Sequence, residues 1–395
     1  MPAENNHSDG HSDNTNMKTH KRPLYFGAGP AKLPSSVLQK IVQDTREYSE
    51  GLSIVELSHR SKEYERMNDQ ALEGLRKLCG FDPSHYSVLF VPGGATLQFA
   101  ASVMNVMNRL DINDRYTTTI DYLISGYWSQ RAADEAESLG YRVRRVNLVE
   151  RDKTSGDSIV TLPPVDTLNK IVYYCQNETV DGVELPEIDF KQRVVICDVS
   201  SNFLTRPLNP RLYTILFAGA QKNAGIAGVT IVAVNETMLP LDRKCPQAPA
   251  MMDYFVHKRA DSIYNTPPVS AVNAVKHMVD WILLESDDSC TLHQLDARAR
   301  EKSSKLYALQ KDTGVYYCPI QPEQYRSRIN VVLKLRQRDE DDQVKATEDL
   351  ISKARKHGIS GIEGHRSVGG LRVSLYNAVD IEDVDELVKF LKENV

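Results

Sequence analysis

Short apolar runs alternate with longer amphipathic stretches along the first two thirds of the chain. Several runs consist of Val, Ile, Leu, Tyr and Cys without polar alternation, a pattern typical of strands buried on both faces of a sheet. The predicted strands are Val88–Val91, Tyr122–Ser125, Val143–Leu148, Ile171–Cys175, Val194–Cys197, Thr214–Phe217 and Val229–Val234. Helices are predicted between them, as over Leu97–Asn108 and Ser129–Leu139. The predicted fold class is therefore α/β, with a large domain whose mostly parallel sheet is covered by helices.

The pattern changes near Pro268, after which longer helices and fewer strands are predicted. The predicted elements are helices Val269–Leu284, Leu292–Leu309, Gln343–Lys356 and Ile381–Lys392 and strands Ile329–Leu335 and Leu371–Leu375. This density is typical of a smaller α+β domain. We expect a disordered polar tail over residues 1–21, a large domain over 22–280 and a small C-terminal domain over 281–395. The first roughly 15 residues of the large domain are free in this scheme to pack on the small domain.

Composition and charge exclude several classes of protein and partner. The chain has 395 residues, a net charge of −5 and 41% hydrophobic residues, which excludes disorder of the whole chain. The mildly negative charge argues against a nucleic-acid or membrane partner. The N-terminus has no apolar segment of the kind found in secretory signals. The six cysteines are widely spread without a CxxC pair, so neither a disulfide framework nor a metal site is expected, and a reducing, cytoplasmic setting fits.

One segment combines a buried strand, small residues and a lysine. The predicted strand Thr214–Phe217 is followed by Ala-Gly-Ala-Gln-Lys222 and then by a second glycine-rich turn. Small neighbours are expected to leave Lys222 partly desolvated, and burial lowers the pKa of an amine toward its neutral, nucleophilic form. Lys222 is therefore a candidate for Schiff-base formation with a carbonyl. The alternative is an ordinary surface lysine in a turn between strands.

A carboxylate follows the neighbouring predicted strand. Asp198 comes at the end of Val194–Cys197, about one β-unit before Lys222. Ligands bind outside the carboxyl ends of strands in open α/β sheets, so the two residues are expected to converge there. An amine and an acid in that position suit pyridoxal phosphate (PLP), because lysine bonds the aldehyde while the acid keeps the pyridine nitrogen protonated. The alternative for Asp198 is a helix N-cap or a turn.

Three more segments follow predicted strands. The turn Gly93-Gly94 leads into Ala95 and Thr96, and backbone N–H groups at such a helix start suit a phosphate. The segment lacks GxGxxG and the P-loop lysine, so neither a dinucleotide nor a nucleoside triphosphate is favoured. Trp128 offers an aromatic face for a flat cofactor ring, and Thr179 a hydroxyl at the same edge. Ordinary turns and a tryptophan packed at a domain edge are the alternatives.

Basic residues occur in three places next to Gly or Ser. They are the pairs His59-Arg60 and His365-Arg366, and Arg372. Arginine binds carboxylate and phosphate groups as a planar fork, so several converging arginines predict a multiply anionic substrate. The alternative is scattered surface charge.

Together these segments resemble the phosphoserine aminotransferase family, whose members are class V, fold-type I PLP enzymes. The resemblance covers nearly the whole chain after the polar tail. Its motifs are FGAGPAKLP (26–34), ELSHRSK (56–62), GYW (126–128), NETVDG (177–182), DVSS (198–201), AGAQKN (218–223), YNTPP (264–268), GHRSVGG (364–370) and YNA (376–378). The blocks GHR…GG…R and NETxDG are particularly specific for this family within class V.

The resemblance implies a role for each cofactor residue. Lys222 is implied to be the Schiff-base lysine and proton shuttle, and Asp198 the partner of the pyridine nitrogen. Trp128 is implied to stack on the ring, and Thr179 to contact its phenolic side. The residues implied to hold the cofactor phosphate are Ala95, Thr96 and Gln221, with Asn265 and Thr266 contributed by a partner subunit.

The resemblance also implies the substrates and the assembly. Arg372 is implied to bind the α-carboxylate. The residues implied to bind the substrate's phosphate or distal carboxylate are His59, Arg60, His365 and Arg366, of which the last two cross a homodimer. The reaction implied is transamination between L-glutamate and 3-phosphohydroxypyruvate, which gives O-phospho-L-serine and 2-oxoglutarate in serine biosynthesis.

Other functions remain open from the sequence. Another class V enzyme, such as an alanine– or serine–glyoxylate aminotransferase or a cysteine desulfurase, would share Lys222 and Asp198 but have less use for the four His and Arg residues. A desulfurase also needs a mobile catalytic cysteine, and no cysteine lies in an evident active-site loop. A binding protein without activity is the third class, and it would not need every polar group that is present here.

Overall fold

The computed structural model describes residues 22–109, 117–284, 291–336 and 339–394. The disorder predicted for residues 1–21 lies outside the described residues. The helices in this part of the chain are α1 (Ser35–Arg46), α2 (Lys62–Cys79), α3 (Ala95–Met107), α4 (Tyr127–Ser138), α5 (Tyr254–Arg259), α6 (Val269–Leu284), α7 (Thr291–Thr313), α8 (Glu340–Lys356) and α9 (Ile381–Glu393). None of these helices is both long enough and apolar enough to cross a bilayer.

The strands divide into one large sheet and several small ones. The seven strands of the large sheet are β2 (Tyr86–Pro92), β3 (Thr119–Ile124), β4 (Arg142–Asn147), β7 (Ile171–Cys175), β8 (Val194–Asp198), β9 (Ile215–Gly219) and β10 (Val229–Asn235). The remaining strands are β1 (Leu24–Tyr25), β5 (Val149–Arg151), β6 (Ser158–Val160), β11 (Tyr316–Tyr317), β12 (Ile320–Gln321), β13 (Asn330–Leu335), β14 (Ile359–Ser360) and β15 (Leu371–Ser374).

The large sheet has the strand order β2-β10-β9-β8-β7-β3-β4. Strand β10 runs antiparallel to both of its neighbours, and the other adjacent pairs are parallel. The predicted α/β class with a mostly parallel sheet is confirmed. Because all strands but β10 point the same way, the segments that follow β2, β3, β7, β8 and β9 begin at one edge of the sheet.

Both faces of this sheet are covered, which explains the uninterrupted apolar runs. In β8, Val195 and Cys197 pack into one core with residues of α2 and α6, such as Met67 and Val275. Ile196, between them, packs into the opposite core with residues of α3 and α4. Successive side chains of a strand point to opposite faces, so a strand covered on both sides needs apolar residues at every position.

The C-terminal part has its own small sheet, β11-β13-β15, with antiparallel pairing. Strand β1 pairs in parallel with β14, with Leu24 opposite Ile359, so the start of the described chain joins this C-terminal part. Helix α6 continues through residue 280 without a break. The division into domains at 280 and 281 therefore stays a prediction.

Candidate active site

Lys222 lies in the turn after β9, at the shared edge of the sheet. Its Nζ donates a hydrogen bond to Oγ1 of Thr179 at 2.6 Å. Gly29 lies against its aliphatic stem, and the backbone N–H of Ala31 bonds to the carbonyl of Gln221 at 2.9 Å, so the N-terminal segment covers this turn. Burial lowers the pKa of Lys222, and the nearby Asp198 carboxylate opposes that shift. Burial thus favours the neutral, nucleophilic form of this amine more than exposure to solvent would.

Asp198 is the last residue of β8 and is only 5% exposed. Its Oδ1 accepts a hydrogen bond from the backbone N–H of Ser200 at 2.8 Å. The hydroxyl of Ser200 in turn accepts from the N–H of Gly219 at 3.1 Å, which fixes this turn to β9. Burial raises the pKa of Asp198, while the Ser200 hydrogen bonds and Lys222 lower it. A buried acid with little competing solvent is well suited to pair with a protonated ring nitrogen.

Lys222 and Asp198 line one cavity of about 110 Å³. The structure brings seven of the predicted cofactor residues together around this cavity: Ala95, Thr96, Trp128, Thr179, Asp198, Gln221 and Lys222. Gly94, from the predicted phosphate turn, also lines the cavity, together with residues to which the sequence had given no role, namely Phe99, Cys175, Asn177, Ser200 and Ser201. The alternative that Lys222 is an ordinary surface lysine is therefore wrong, because its side chain lines this cavity.

The start of α3 forms one end of the cavity. Gly93 has φ +105°, a conformation that glycine adopts without strain, and its N–H bonds to the carbonyl of Gly228 at 2.9 Å. Gly94 is the N-cap, and no side chain among the described residues caps this helix. The first N–H groups, at Ala95 and Thr96, are thus available to an anion at the positive end of the helix.

The start of α4, which carries Trp128, is capped by two carboxylates. Oε2 of Glu178 accepts from the N–H of Trp128 at 2.9 Å, and Oε1 accepts from the N–H of Ser129 at 2.8 Å. Oδ2 of Asp181 accepts from the N–H of Tyr127 at 2.7 Å. Burial and the neighbouring Asp181 raise the pKa of Glu178 to about 7. These contacts fix the position of the Trp128 ring at the wall of the cavity.

Sequence reasoning gave Glu178 and Asp181 no role, although both lie in the NETVDG motif. One feature of the sequence could have indicated their role as helix caps. Helix α4 begins after Gly126, which has no side chain to cap it, and no Asp or Glu occurs in its first turn. A helix start that lacks a local cap needs acceptors from elsewhere, and two acids after a buried strand were candidates.

The predicted substrate residues lie at different distances from the cavity. Nη1 of Arg372 reaches the carbonyl of Thr179 at 3.4 Å, so its guanidinium borders the Lys222 site. The ring of His365 packs on that of Tyr127, with centroids 5.3 Å apart. Arg372 and Arg366 both lower the pKa of His365, after burial as the first cause. Arg372 therefore lies beside the cavity, and His365 lies against Tyr127 at the start of α4.

Besides Arg372 and His365, five further predicted residues do not line the cavity of this chain: His59, Arg60, Asn265, Thr266 and Arg366. Arg60, Thr266 and Arg366 are exposed, whereas His59 and Asn265 are partly exposed. Two exposed apolar residues, Val55 and Tyr264, lie close to them in sequence. One chain by itself thus leaves these residues without a place in the site.

Comparison with known proteins identifies the family. Residues 24–387 match the family Aminotransferase class-V. The chain is 36% identical to a phosphoserine aminotransferase of Laribacter hongkongensis, over 93% of this chain and 97% of that protein. It is 34% identical to that of Drosophila melanogaster, over 93% and 97%.

Two solved structures are similar along nearly their whole length. The phosphoserine aminotransferase of Bacillus circulans subsp. alkalophilus superposes with a TM-score of 0.83 at 30% identity, covering 95% of this chain and 99% of the other. The PLP-bound enzyme of Trichomonas vaginalis gives a TM-score of 0.81 at 32% identity, covering 94% and 100%. The chain therefore belongs to the class V aminotransferases and, within them, to the phosphoserine aminotransferase family.

Proposed function

We propose that this chain is a PLP-dependent aminotransferase that acts between L-glutamate and 3-phosphohydroxypyruvate. The products are O-phospho-L-serine and 2-oxoglutarate, and the reaction serves serine biosynthesis. The observation that carries the proposal is the partly buried amine of Lys222, hydrogen-bonded to Thr179 in a cavity that Asp198 also lines.

The donor set of the cavity fits PLP. Trp128 is a cavity wall, and its indole N–H is buried without a hydrogen-bond partner among the described residues. In the bound state Asp198 would hold the pyridine nitrogen, Trp128 the ring face and Thr179 the phenolic oxygen. The phosphate would be held by Ala95, Thr96 and Gln221, joined by Asn265 of the partner subunit and Thr266 of the partner subunit.

PLP, when bound, supplies a covalent attachment for the amino group and an electron sink that acidifies the substrate Cα–H. Lys222 would perform the proton transfers, with its Nζ taking the proton from the substrate Cα and delivering it to C4′ of the cofactor, the carbon on the other side of the amino nitrogen. Positioned acid–base catalysis of this kind contributes typically ~10²–10⁴-fold to the rate. The lowered pKa of Lys222 favours this step, since the amine must be neutral to accept the proton.

The substrates would be bound by positively charged side chains. Arg372, beside the carbonyl of Thr179, would bind the α-carboxylate that both substrates share. The residues proposed to bind the γ-carboxylate of glutamate or the phosphate of the oxo acid are His59, Arg60, His365 and Arg366. A guanidinium donates paired hydrogen bonds to carboxylate and phosphate groups alike. A transaminase with two different anionic substrates requires such a binding site.

We further propose a homodimer in which His365 and Arg366 act across the interface. The exposed apolar side chains Val55 and Tyr264 support an interface near residues 59–60 and 265–266, because each lies close to one of these pairs. A cytoplasmic setting is proposed as well, supported by five buried free thiols among the described residues. The proposed domains are 22–280, which holds the cofactor, and 281–395.

A coupled assay tests the proposal. The purified protein, supplied with PLP, L-glutamate and 3-phosphohydroxypyruvate, is expected to form 2-oxoglutarate. Lys222→Ala is expected to lose turnover and the visible absorbance of covalently held cofactor. Glyoxylate as the acceptor separates this function from that of a glyoxylate aminotransferase. A clear preference for glyoxylate, or full activity in Lys222→Ala, would contradict the proposal.

A further inference from the structure

A second cavity, of about 920 Å³, lies away from the Lys222 site and shares no lining residue with it. Its wall combines the segments around Glu184 and Arg206, which follow strands of the large sheet, with helix α7 and the stretch around Arg326. We call it the arginine cavity. Its volume falls in the range of about 300–1,000 Å³ that is usual for small-molecule sites.

The lining of the arginine cavity is mainly cationic. Within the described residues its charged lining consists of five basic side chains, Arg206, Arg300, Lys311, Arg326 and Arg328, and two acidic ones, Glu184 and Glu323. A third carboxylate, Asp296, bonds to Arg300 and Arg328. Positive charge still exceeds negative charge, although the whole chain is net negative. A concave wall with an excess of positive charge concentrates anionic ligands.

Arg206 is an enclosed cation whose contacts within the chain are long. Its side chain is only 17% exposed, and its nearest carboxylate oxygen, Oε1 of Glu184, is 3.7 Å away. Its Nη2 donates one long hydrogen bond, 3.4 Å, to the carbonyl of Leu185. Glu184 is occupied by Arg328, whose Nη2 lies 2.5 Å from Oε1 and whose Nε lies 3.2 Å from Oε2. An enclosed guanidinium normally pairs closely with an anion, so Arg206 has donors to offer a ligand.

Two further cations extend from this point. Arg326 is 7% exposed at its side chain, and its Nε donates to the carbonyl of Ile320 at 3.0 Å. Its ion-pair partner Glu323 is 79% exposed, so water already competes for that pair. The guanidinium of Arg326 also covers the ring of Tyr307, 5.6 Å from its centroid. Lys311 is exposed at the rim, and no ion pair of its side chain is found in the described part of the chain.

We propose that the arginine cavity binds a small organic or inorganic anion with two or more carboxylate or phosphate groups. Arg206 binds one anionic group in the interior, and Arg326 and Lys311 bind a second toward the rim. Charge-assisted hydrogen bonds to guanidinium groups supply the affinity. The site is distinct from the substrate site, which uses Arg372 and the His and Arg residues described above.

Calorimetric titration of the holoenzyme with citrate and, separately, with pyrophosphate tests this site. Arg206→Gln is expected to weaken one binding event at least about tenfold, as loss of a charge-assisted contact does. Arg211→Gln, an exposed arginine nearby in sequence that does not line the cavity, is the matched control and is expected to bind as the wild type does. Because anions also enter the substrate site, only the component that changes in Arg206→Gln belongs to the arginine cavity.

The two probes separate the sources of the ligand, since a citrate-only response assigns the site to carboxylates and a pyrophosphate-only response to phosphates. Arg206→Gln leaves the Glu184–Arg328 pair in place and is expected to keep the wild-type kcat. Lys311→Gln, at an exposed position, gives a second measurement that does not depend on the folding of Arg206→Gln, with an expected loss of about threefold. Titrations in which Arg206→Gln and Lys311→Gln both match the wild type, or in which neither probe binds, would overturn the proposal.

Discussion

The carboxylate of Glu178 accepts a hydrogen bond from the backbone N–H of Trp128 at 2.9 Å. Glu178 directly precedes Thr179, which is the hydrogen-bond partner of Lys222. One short loop therefore fixes both the helix that carries the ring-facing tryptophan and the hydroxyl that contacts the lysine. Asp181, in the same loop, adds the hydrogen bond to Tyr127. Substitutions in this loop are expected to displace two walls of the cavity together.

Glu178→Gln tests this coupling. The amide can still accept one N–H, but its NH₂ group faces a second N–H donor, so part of the cap is lost. We expect kcat to fall about tenfold, because positioning errors of less than 1 Å at an active site are costly. Altered tryptophan fluorescence measured in the Trp281→Phe background reports on Trp128 alone. Glu150→Gln, at an exposed position, is the control, and an unchanged Trp128 signal in Glu178→Gln would refute the coupling.

The raised pKa of Glu178 predicts a pH dependence of stability. Its pKa is about 7 in the folded chain against an ordinary value of 4.5, so the folded state holds this proton more tightly than the unfolded state. The resulting stabilisation is complete below about pH 4.5 and is lost as the pH rises through 7. As the pH rises from 5 to 8, the free energy of unfolding of the wild type should therefore fall relative to that of Glu178→Gln. Urea denaturation at pH 5 and pH 8 measures the difference, and equal differences at both values would contradict the assignment.

Asp198→Asn is expected to lower kcat by at least about a hundredfold. The amide keeps the shape of the side chain and the hydrogen bond from Ser200, but it removes the negative charge that would hold a protonated ring nitrogen. Steady-state kinetics and the affinity for PLP are measured together. Asp166→Asn, whose carboxylate pairs with Lys191 on the surface, should leave both unchanged. Activity of Asp198→Asn within twofold of the wild type would rule out this role.

Mixed dimers decide which subunit each arginine serves. A dimer of one Lys222→Ala chain and one Arg366→Gln chain contains one intact site only if Arg366 acts across the interface. We expect an equimolar mixture to recover up to about a quarter of the wild-type activity when subunits exchange freely, because about half of the dimers are then mixed and each mixed dimer has one intact site of two. The matched control pairs Lys222→Ala with Arg372→Gln, which should not recover, because Arg372 borders the Lys222 site of its own chain. Absence of recovery with Arg366→Gln would show that it acts within its own chain, as the packing of His365 on Tyr127 would then suggest.

Lys302 is expected to matter for stability and not for catalysis. Its side chain is 3% exposed, and Nζ donates to the carbonyls of Leu375, Tyr376 and Val379 at 3.0, 3.0 and 2.9 Å. Lys302→Met removes this donor from all three carbonyls, of which, in the described part of the chain, only that of Tyr376 keeps another, the N–H of Val379 at 2.9 Å, so the free energy of unfolding should fall by about 3 kcal/mol. Urea denaturation measures it. Lys305→Met, which removes a solvent-accessible ion pair to Asp385, should change the free energy of unfolding far less than Lys302→Met does. A loss of kcat at constant stability would contradict this role.

The sequence by itself determined the elements and the chemistry at the ends of the strands. The run Ile171–Cys175 is a strand with the predicted bounds, and helix Val269–Leu284 also begins and ends as predicted. Lys222 and Asp198 could be identified because the pattern of a buried strand followed by a polar residue is local. The convergence of the two residues followed from the general rule that ligands bind at the carboxyl ends of parallel strands.

Tertiary structure alone decided which of these ends are neighbours. The contact between Glu178 and Trp128 exists because β7 lies next to β3 in the sheet, although 50 residues separate the two side chains in sequence. The arginine cavity likewise joins Arg206 to Arg326, which no local periodicity relates. Strand order and the packing of distant segments depend on the total burial of the folded chain. For that reason the caps of α4 and the long contacts of the enclosed Arg206 guanidinium become visible only in the structure.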